Sequence, residues 1–185
     1  MIFINDTEIT FRAIPTSRKE IRRVAKYIRE YFKIDDNSPL PVPAFLEIFC
    51  YCCDYNYQIV EDSALPSCYA LTKPYNRTIL INKSTYLSAC NGEPRARFTI
   101  VHEIGHAIFH NESSTIYTRS RSAKIIRAFE NPEWQANTFA AEILVPYYRI
   151  NGLSVDEIAK KYLVSKKSCP NTILFYKNPS LKLLI

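Results

Sequence analysis

The stretch Arg95–His110, RARFTIVHEIGHAIFH, holds His102, Glu103 and His106 in an H-E-x-x-H spacing inside a helical apolar pattern. Residues four apart on a helix stand one above the other, so His102 and His106 present two imidazoles to one metal ion, with Glu103 beside them. A tetrahedral zinc would then need a third protein ligand and one open position for water. A carboxylate beside that position can take a proton from the water as it attacks a carbonyl. All 3 histidines of the chain fall in this one stretch. The spacing also occurs in helices that bind no metal, where both histidines simply pack or face solvent. His110 lies about 12 Å along the helix axis from His102, too far to share one ion with it. A histidine at a helix end is favoured by the dipole, and His110 is left out of the ligand set.

Candidates for the third ligand are Glu112, Glu130, Glu133 and Glu142. A layout with a third histidine beyond a glycine turn is absent, because position 108 is Ile and position 112 is Glu. A zinc deaminase pattern fails too: His110-Asn111-Glu112 has no P-C-x-x-C downstream. Two histidines on one helix and a glutamate on another remain, and Glu133 fits best. Glu133, Asn137, Ala140 and Leu144 form a stripe at helical spacing, so Asn137 shares a face with Glu133 and is placed to orient a ligating histidine. Ala136, Ala140 and Ala141 let that helix come close to a neighbour. Glu142 points the other way and reads as structural or solvated. An acid in a first helical turn is favoured by the dipole alone, so Glu133 has a purely structural explanation as well.

The elements around these residues are legible from local signals. Residues 2–12 alternate around Asn5-Asp6 as a strand or small hairpin. Ser17 and Glu20 form a capping box ahead of an amphipathic helix running to about Lys33. Asp35–Pro43 is a proline-rich connection, and Pro43 suits the first turn of a short helix through Phe49. Three strands are expected at Tyr57–Val60, Tyr69–Thr72 and Thr78–Asn82, the last two as an antiparallel hairpin about Lys73–Asn76. Gly92-Glu93-Pro94 punctuates the chain before the histidine helix. The long polar and basic connection Asn111–Glu130 is of a kind that is often functional. Asn131 and Pro132 then open the glutamate helix, which stops before Val145-Pro146. A last helix starts at a second capping box, Ser154 and Glu157.

The chain has 185 residues, which sets the expectation of one domain. We read 1–35 as a strand-plus-helix lead-in, 36–150 as a catalytic core and 151–185 as a C-terminal helix and tail. A net charge of +6 permits an anionic partner without requiring one, because the basic run Arg18–Lys33 alternates with apolar positions as a solvated helix face does. No direct nucleic-acid binding is expected. The first residues lack a basic leader and no apolar run reaches transmembrane length, so a soluble, cytoplasmic protein with no membrane partner is expected. In such a chain the 6 cysteines are expected to be reduced thiols, and Cys50-x-x-Cys53 lacks a second matching pair for a structural metal site.

Two segments together resemble a known family. RFTIVHEIGHAIFH and EWQANTFAAEILVP are similar to the paired motifs of the ImmA/IrrE metallopeptidases, a bacterial group of the HExxH-plus-Glu class. A helix after LPV and the short strand TILIN fit the same pattern, so the likeness covers about Leu40 to Pro146. The resemblance implies an α+β fold: a helical metallopeptidase domain with a small antiparallel sheet beside the metal-binding helix. Carried over by position, His102, His106 and Glu133 would be the metal ligands, Zn2+ the cofactor and Glu103 the general base. It further implies endopeptidase cleavage of a protein regulator such as a helix-turn-helix repressor, in mobile elements or stress regulation. Thr78–Asn82 would receive the substrate backbone by strand addition. A non-catalytic partner-binding regulator on the same fold is the competing reading. Many relatives carry a helix-turn-helix module ahead of this domain, and the residues before it here are too few for one. Tyr86, Tyr117, Tyr147 and Tyr148 are candidate donors to a developing oxyanion.

Overall fold

A computed structural model describes residues 9–110, 115–119 and 127–166 of the chain. Helix α1 (Arg18–Tyr31) begins where Ser17 and Glu20 exchange side-chain and backbone hydrogen bonds, the expected capping box. Helix α2 (Val42–Cys53) has Pro43 in its first turn and runs about one turn beyond the expected end, to a left-handed Asp54. After strand β2 (Asn56–Val60) come β3 (Ala70–Lys73) and β4 (Thr78–Asn82), then a short helix α3 (Lys83–Cys90) that leads into α4 (Pro94–Phe109). The chain ends its described part with α5 (Pro132–Leu144) and α6 (Val155–Tyr162), the latter opened by the Ser154–Glu157 box. Strands β1 (Ile9–Ala13) and β5 (Thr115–Arg119) pair antiparallel, so part of the long connection after His110 is a strand. Residues 2–8, Glu112 and Cys169 lie outside the described residues.

The architecture is α+β, with one correction: the sheet next to α4 is mixed, not antiparallel. Its order is β2-β4-β3, with β3 antiparallel and β2 parallel to β4. The cause is the connection between β2 and β3. It crosses the C-terminal end of β4, where Asn82 donates from its backbone to Tyr69 O and from Nδ2 to Cys68 O. A crossing so short cannot return to the other end, so β2 finishes and β3 starts at the same end of the sheet, on either side of β4. A second correction follows. Strand β4, expected to receive a substrate backbone, is paired on both sides; among the described residues the free edge toward α4 belongs to β3.

Helix α4 runs through the core. Ile100, Val101 and Ile104 are buried against Phe139, Ile143 and Leu144 of α5, Phe45, Leu46 and Phe49 of α2, and Ile79 and Ile81 of β4. Burying each such side chain contributes about 1.5–3 kcal/mol. Three buried polar side chains lock the helices to one another. Glu142, on the side of α5 away from Glu133, accepts from Arg18 Nε (2.8 Å) and from Arg22 Nε and Nη2 (2.9 and 3.0 Å), fastening α1 to α5. Arg29 bonds Asp36 Oδ1 and the Ile143 and Asp35 carbonyls. Arg97 of α4 donates to the carbonyls of Leu40, Tyr162 and Leu163, joining α4 to the start of α2 and the end of α6.

Candidate metal centre

Helices α4 and α5 pack closely because both are thinned at the contact. A Cβ at Gly105 would stand 3.1 Å from Ala136 Cα, 3.2 Å from Ala136 O and 3.2 Å from Phe139 Cδ1. Ala136 and Ala140 are fully buried on the opposing face. Asn131 caps α5 by accepting from the Glu133 and Trp134 backbone N–H groups (2.9 and 3.2 Å), which fixes Glu133 in the first turn.

That approach brings His102, His106 and Glu133 together. One ligand atom from each lies within 4.8 Å of the others, and the three form a group able to hold a metal ion. The two imidazole Nε2 atoms are 3.0 Å apart, and each stands 3.3 Å from a different carboxylate oxygen of Glu133. Nitrogen and oxygen ligands about 2.0–2.1 Å from a tetrahedral ion lie about 3.3 Å from one another, so the spacing suits one cation at the centre. The far nitrogens are occupied. His102 Nδ1 meets Asn137 Oδ1 at 2.9 Å, the contact anticipated for Asn137, and His106 Nδ1 meets His110 Nδ1 at 2.9 Å. Asn137 Oδ1 can only accept, so His102 carries a proton on Nδ1, and Nε2 is the nitrogen it turns toward Glu133.

The electrostatics follow from this crowding. Burial alone would lower the pKa of His102, but the Glu133 hydrogen bond and the Glu103 and Glu133 charges outweigh it and raise it. Hydrogen bonds from His102 and His106 hold the Glu133 carboxyl well below the usual carboxylate range, although its side chain is 67% exposed. The centre therefore opens to solvent on its Glu133 side. Glu103 is buried on the sheet side of α4. Its Oε2 accepts from the Thr72 backbone N–H and from Thr72 Oγ1, both at 2.7 Å. Strand β3 thus holds the carboxylate from its free edge.

His110 stands at the helix end, as expected, but buried. It caps α4 but is only 7% exposed, and burial pushes its pKa down to about 4, so it is neutral. Of the other acids, Glu130 pairs with Arg12 at 3.6 Å and Glu142 is spent on the two arginines of α1. Tyr148 donates to Asp36 Oδ2 (2.9 Å) at the α1–α2 connection, and Tyr86 stacks on Tyr57 of the far strand β2. Tyr147 lies under the Arg22 guanidinium, and the side chain of Tyr117 is outside the described part. The five described cysteines are unbridged, with Cys50 buried. Thr72 and Gln135 went unnoticed in the sequence. Neither has a local signal, because each reaches the centre only through the packing of β3 and α5 on α4. For His110 a signal existed: it lies four residues past His106 on the same helical face.

Residues 67–171 match a metallopeptidase family described as the IrrE N-terminal-like domain, and the match contains both the His102–His106 and the Glu133 segments. The chain belongs to this family, which assigns it a peptidase-type function. No curated protein and no solved structure matches it significantly. Among the described residues no helix is long and apolar enough to cross a membrane.

Proposed function

We propose that the chain is a single-domain, zinc-dependent endopeptidase acting on a protein regulator, such as a helix-turn-helix repressor. The observation that carries this is the convergence of two imidazole Nε2 atoms and both Glu133 oxygens at near-tetrahedral spacing. The N,N,O donor set suits zinc, with His102, His106 and Glu133 as ligands. When bound, the ion would polarise a peptide carbonyl and acidify a water. Glu103 is the general base. Thr72 bonds its Oε2 twice, which leaves Oε1 to accept the proton and deliver it to the leaving amine. Thr72 is a positioning residue in this scheme, because its hydroxyl and N–H set the carboxylate plane.

The substrate backbone would pair along β3. Tyr69 O accepts from Asn82 N, so by the two-residue alternation of a strand the backbone groups of Ala70 and Thr72 face away from β4; the Thr72 N–H is held by Glu103, and the Ala70 groups and Thr72 O would meet the peptide. An extended peptide laid there passes beside Glu103. Loops and disordered segments of a partner protein are the polypeptides able to supply such a strand.

The test joins zinc stoichiometry with a cleavage assay on a repressor encoded beside the gene. A Glu103→Gln chain is expected to keep zinc and lose cleavage. Retained cleavage in that variant would refute the role of Glu103, and a wild-type chain that binds the repressor without cutting it would favour the non-catalytic reading.

A further inference from the structure

We infer that His110 and Gln135 form a hydrogen-bond relay that fixes which nitrogen of His106 faces the metal centre. The inference deepens the proposed zinc site and rests on it for the metal, but the relay itself is readable without one.

The direction of every bond follows from one end. Gln135 is fully buried, and its Nε2 donates to two backbone carbonyls, Ile14 O at 2.8 Å and Phe129 O at 2.7 Å. Those carbonyls can only accept, so the amide cannot be turned over, and Gln135 Oε1 must point at His110 Nε2, 3.0 Å away. That oxygen can only accept. His110 Nε2 therefore carries the proton, and a ring this enclosed, bonded to an amide oxygen and an imidazole rather than to a carboxylate, holds one proton only and keeps a lone pair on Nδ1. This lone pair faces His106 Nδ1 at 2.9 Å, so His106 donates from Nδ1, and Nε2, toward His102 and Glu133, is the nitrogen it would present to the proposed cation. At the His106–His110 contact the opposite His106 tautomer would set two lone pairs against each other and lose a buried hydrogen bond, whereas the assigned one leaves the Nε2 pair for the proposed cation.

The anchors make the relay stiff. Ile14 follows β1 and Phe129 belongs to the short 3-10 turn before α5, where Thr16 N also donates to Phe129 O at 2.9 Å. His102 has a one-step version of the same device in Asn137. His106 has a two-step version that ties its ring to the strand β1 side of the molecule. His110 and Gln135 touch no substrate; they act through His106 and are positioning residues. A ligating histidine whose outer partner is removed typically loses about 10–100-fold in metal affinity.

The chemistry supplies a discriminating pair of variants. In His110→Asn the side-chain oxygen falls where Nδ1 stands and still accepts from His106. In His110→Phe the ring shape is kept and the acceptor is gone. Packing alone ranks Phe above Asn; the relay ranks Asn above Phe. Competition titration with a zinc chelator should show His110→Phe weakened by about tenfold or more and His110→Asn restored to within a few-fold of wild type. In parallel, the ring 15N shifts of the wild-type chain, metal-free and zinc-loaded, should show His110 protonated on Nε2 only. Zinc affinity in His110→Phe equal to or above that of His110→Asn would overturn the relay, as would a His110 proton on Nδ1. The nitrogen spectrum of the wild type decides the matter if either variant fails to fold. Loss of zinc binding by the wild type itself would instead count against the proposed metal site, and leaves the tautomer measurement to judge the relay separately.

Discussion

Replacing Gly105 by alanine places a methyl group between α4 and α5 at the level of the metal centre. The new Cβ would meet Ala136 Cα at 3.1 Å and Ala136 O and Phe139 Cδ1 at 3.2 Å, against an ordinary contact of 3.4–4 Å. Two of those atoms are backbone, so no rotamer change relieves the contact and α5 must move off by roughly 0.3–0.5 Å, which a close-packed interior resists. Trimming Ala136 to glycine does not help, since Cα and O remain. Overpacking of this kind costs about 1–3 kcal/mol. Alanine in a helix interior recovers about 1 kcal/mol relative to glycine. The net change in unfolding free energy is then about 0–2 kcal/mol of destabilisation. Glu133 and Asn137 ride on the displaced helix, and a site needs its groups held to within about 0.5 Å. Zinc affinity should therefore fall by about tenfold while the fold survives. Urea denaturation of the metal-free chain and a zinc competition titration read the two effects separately. A Gly105→Ala chain stabilised by about 1 kcal/mol with unchanged zinc affinity would refute the close helix contact, because propensity alone would then account for the result.

Other perturbations test the surroundings. Glu142→Ala strips Arg18 and Arg22 of a fully buried carboxylate; both arginines retain some solvent contact, so the loss should be about 2–3 kcal/mol in urea denaturation, below that for a wholly enclosed pair. Acidifying the metal-free chain should also destabilise it through His110. The unfolded chain takes up a proton below pH 6.5 that folded His110 refuses until about 4, so stability is complete above 6.5 and falls as the pH drops through that interval. The whole interval corresponds to about 3 kcal/mol. Raised His102 holds its full contribution below 6.5, and depressed Glu133 keeps its own down to 4.5, so between 6.5 and 4.5 neither offsets the loss. Denaturation midpoints of wild type and His110→Phe across that range should diverge, and parallel curves would contradict the buried neutral imidazole.

What could be read from the chain and what could not divide along one physical line. Ser17, Ser154 and Asn131 announce helix starts because a cap is a bond between residues two or three apart. Thr78–Asn82 reads as a strand from its own side chains. Helix α3 escaped notice because KSTYLSAC shows no apolar stripe, and part of its start is held from outside, where Ser84 N donates to Asp62 Oδ1 at 3.1 Å. The direction of β2 was invisible for a similar reason, since it depends on which end of β4 the next connection crosses. In the candidate centre, the two histidines and the distant glutamate are marked by spacing on two helices. The groups behind them, Thr72 bonded to Glu103 and Gln135 bonded to His110, come from packing between segments far apart in the chain.

Arg97 sits five residues before His102, with its guanidinium enclosed and its charge answered, among the described residues, by carbonyl oxygens alone, two of which come from the end of α6. A backbone nick near Gly152 that let α6 drift away would strand that cation in apolar surroundings and pull on the segment carrying the histidines. Damage at the exposed loop before α6 would thus be passed through Arg97 to the helix that carries the proposed ligands His102 and His106.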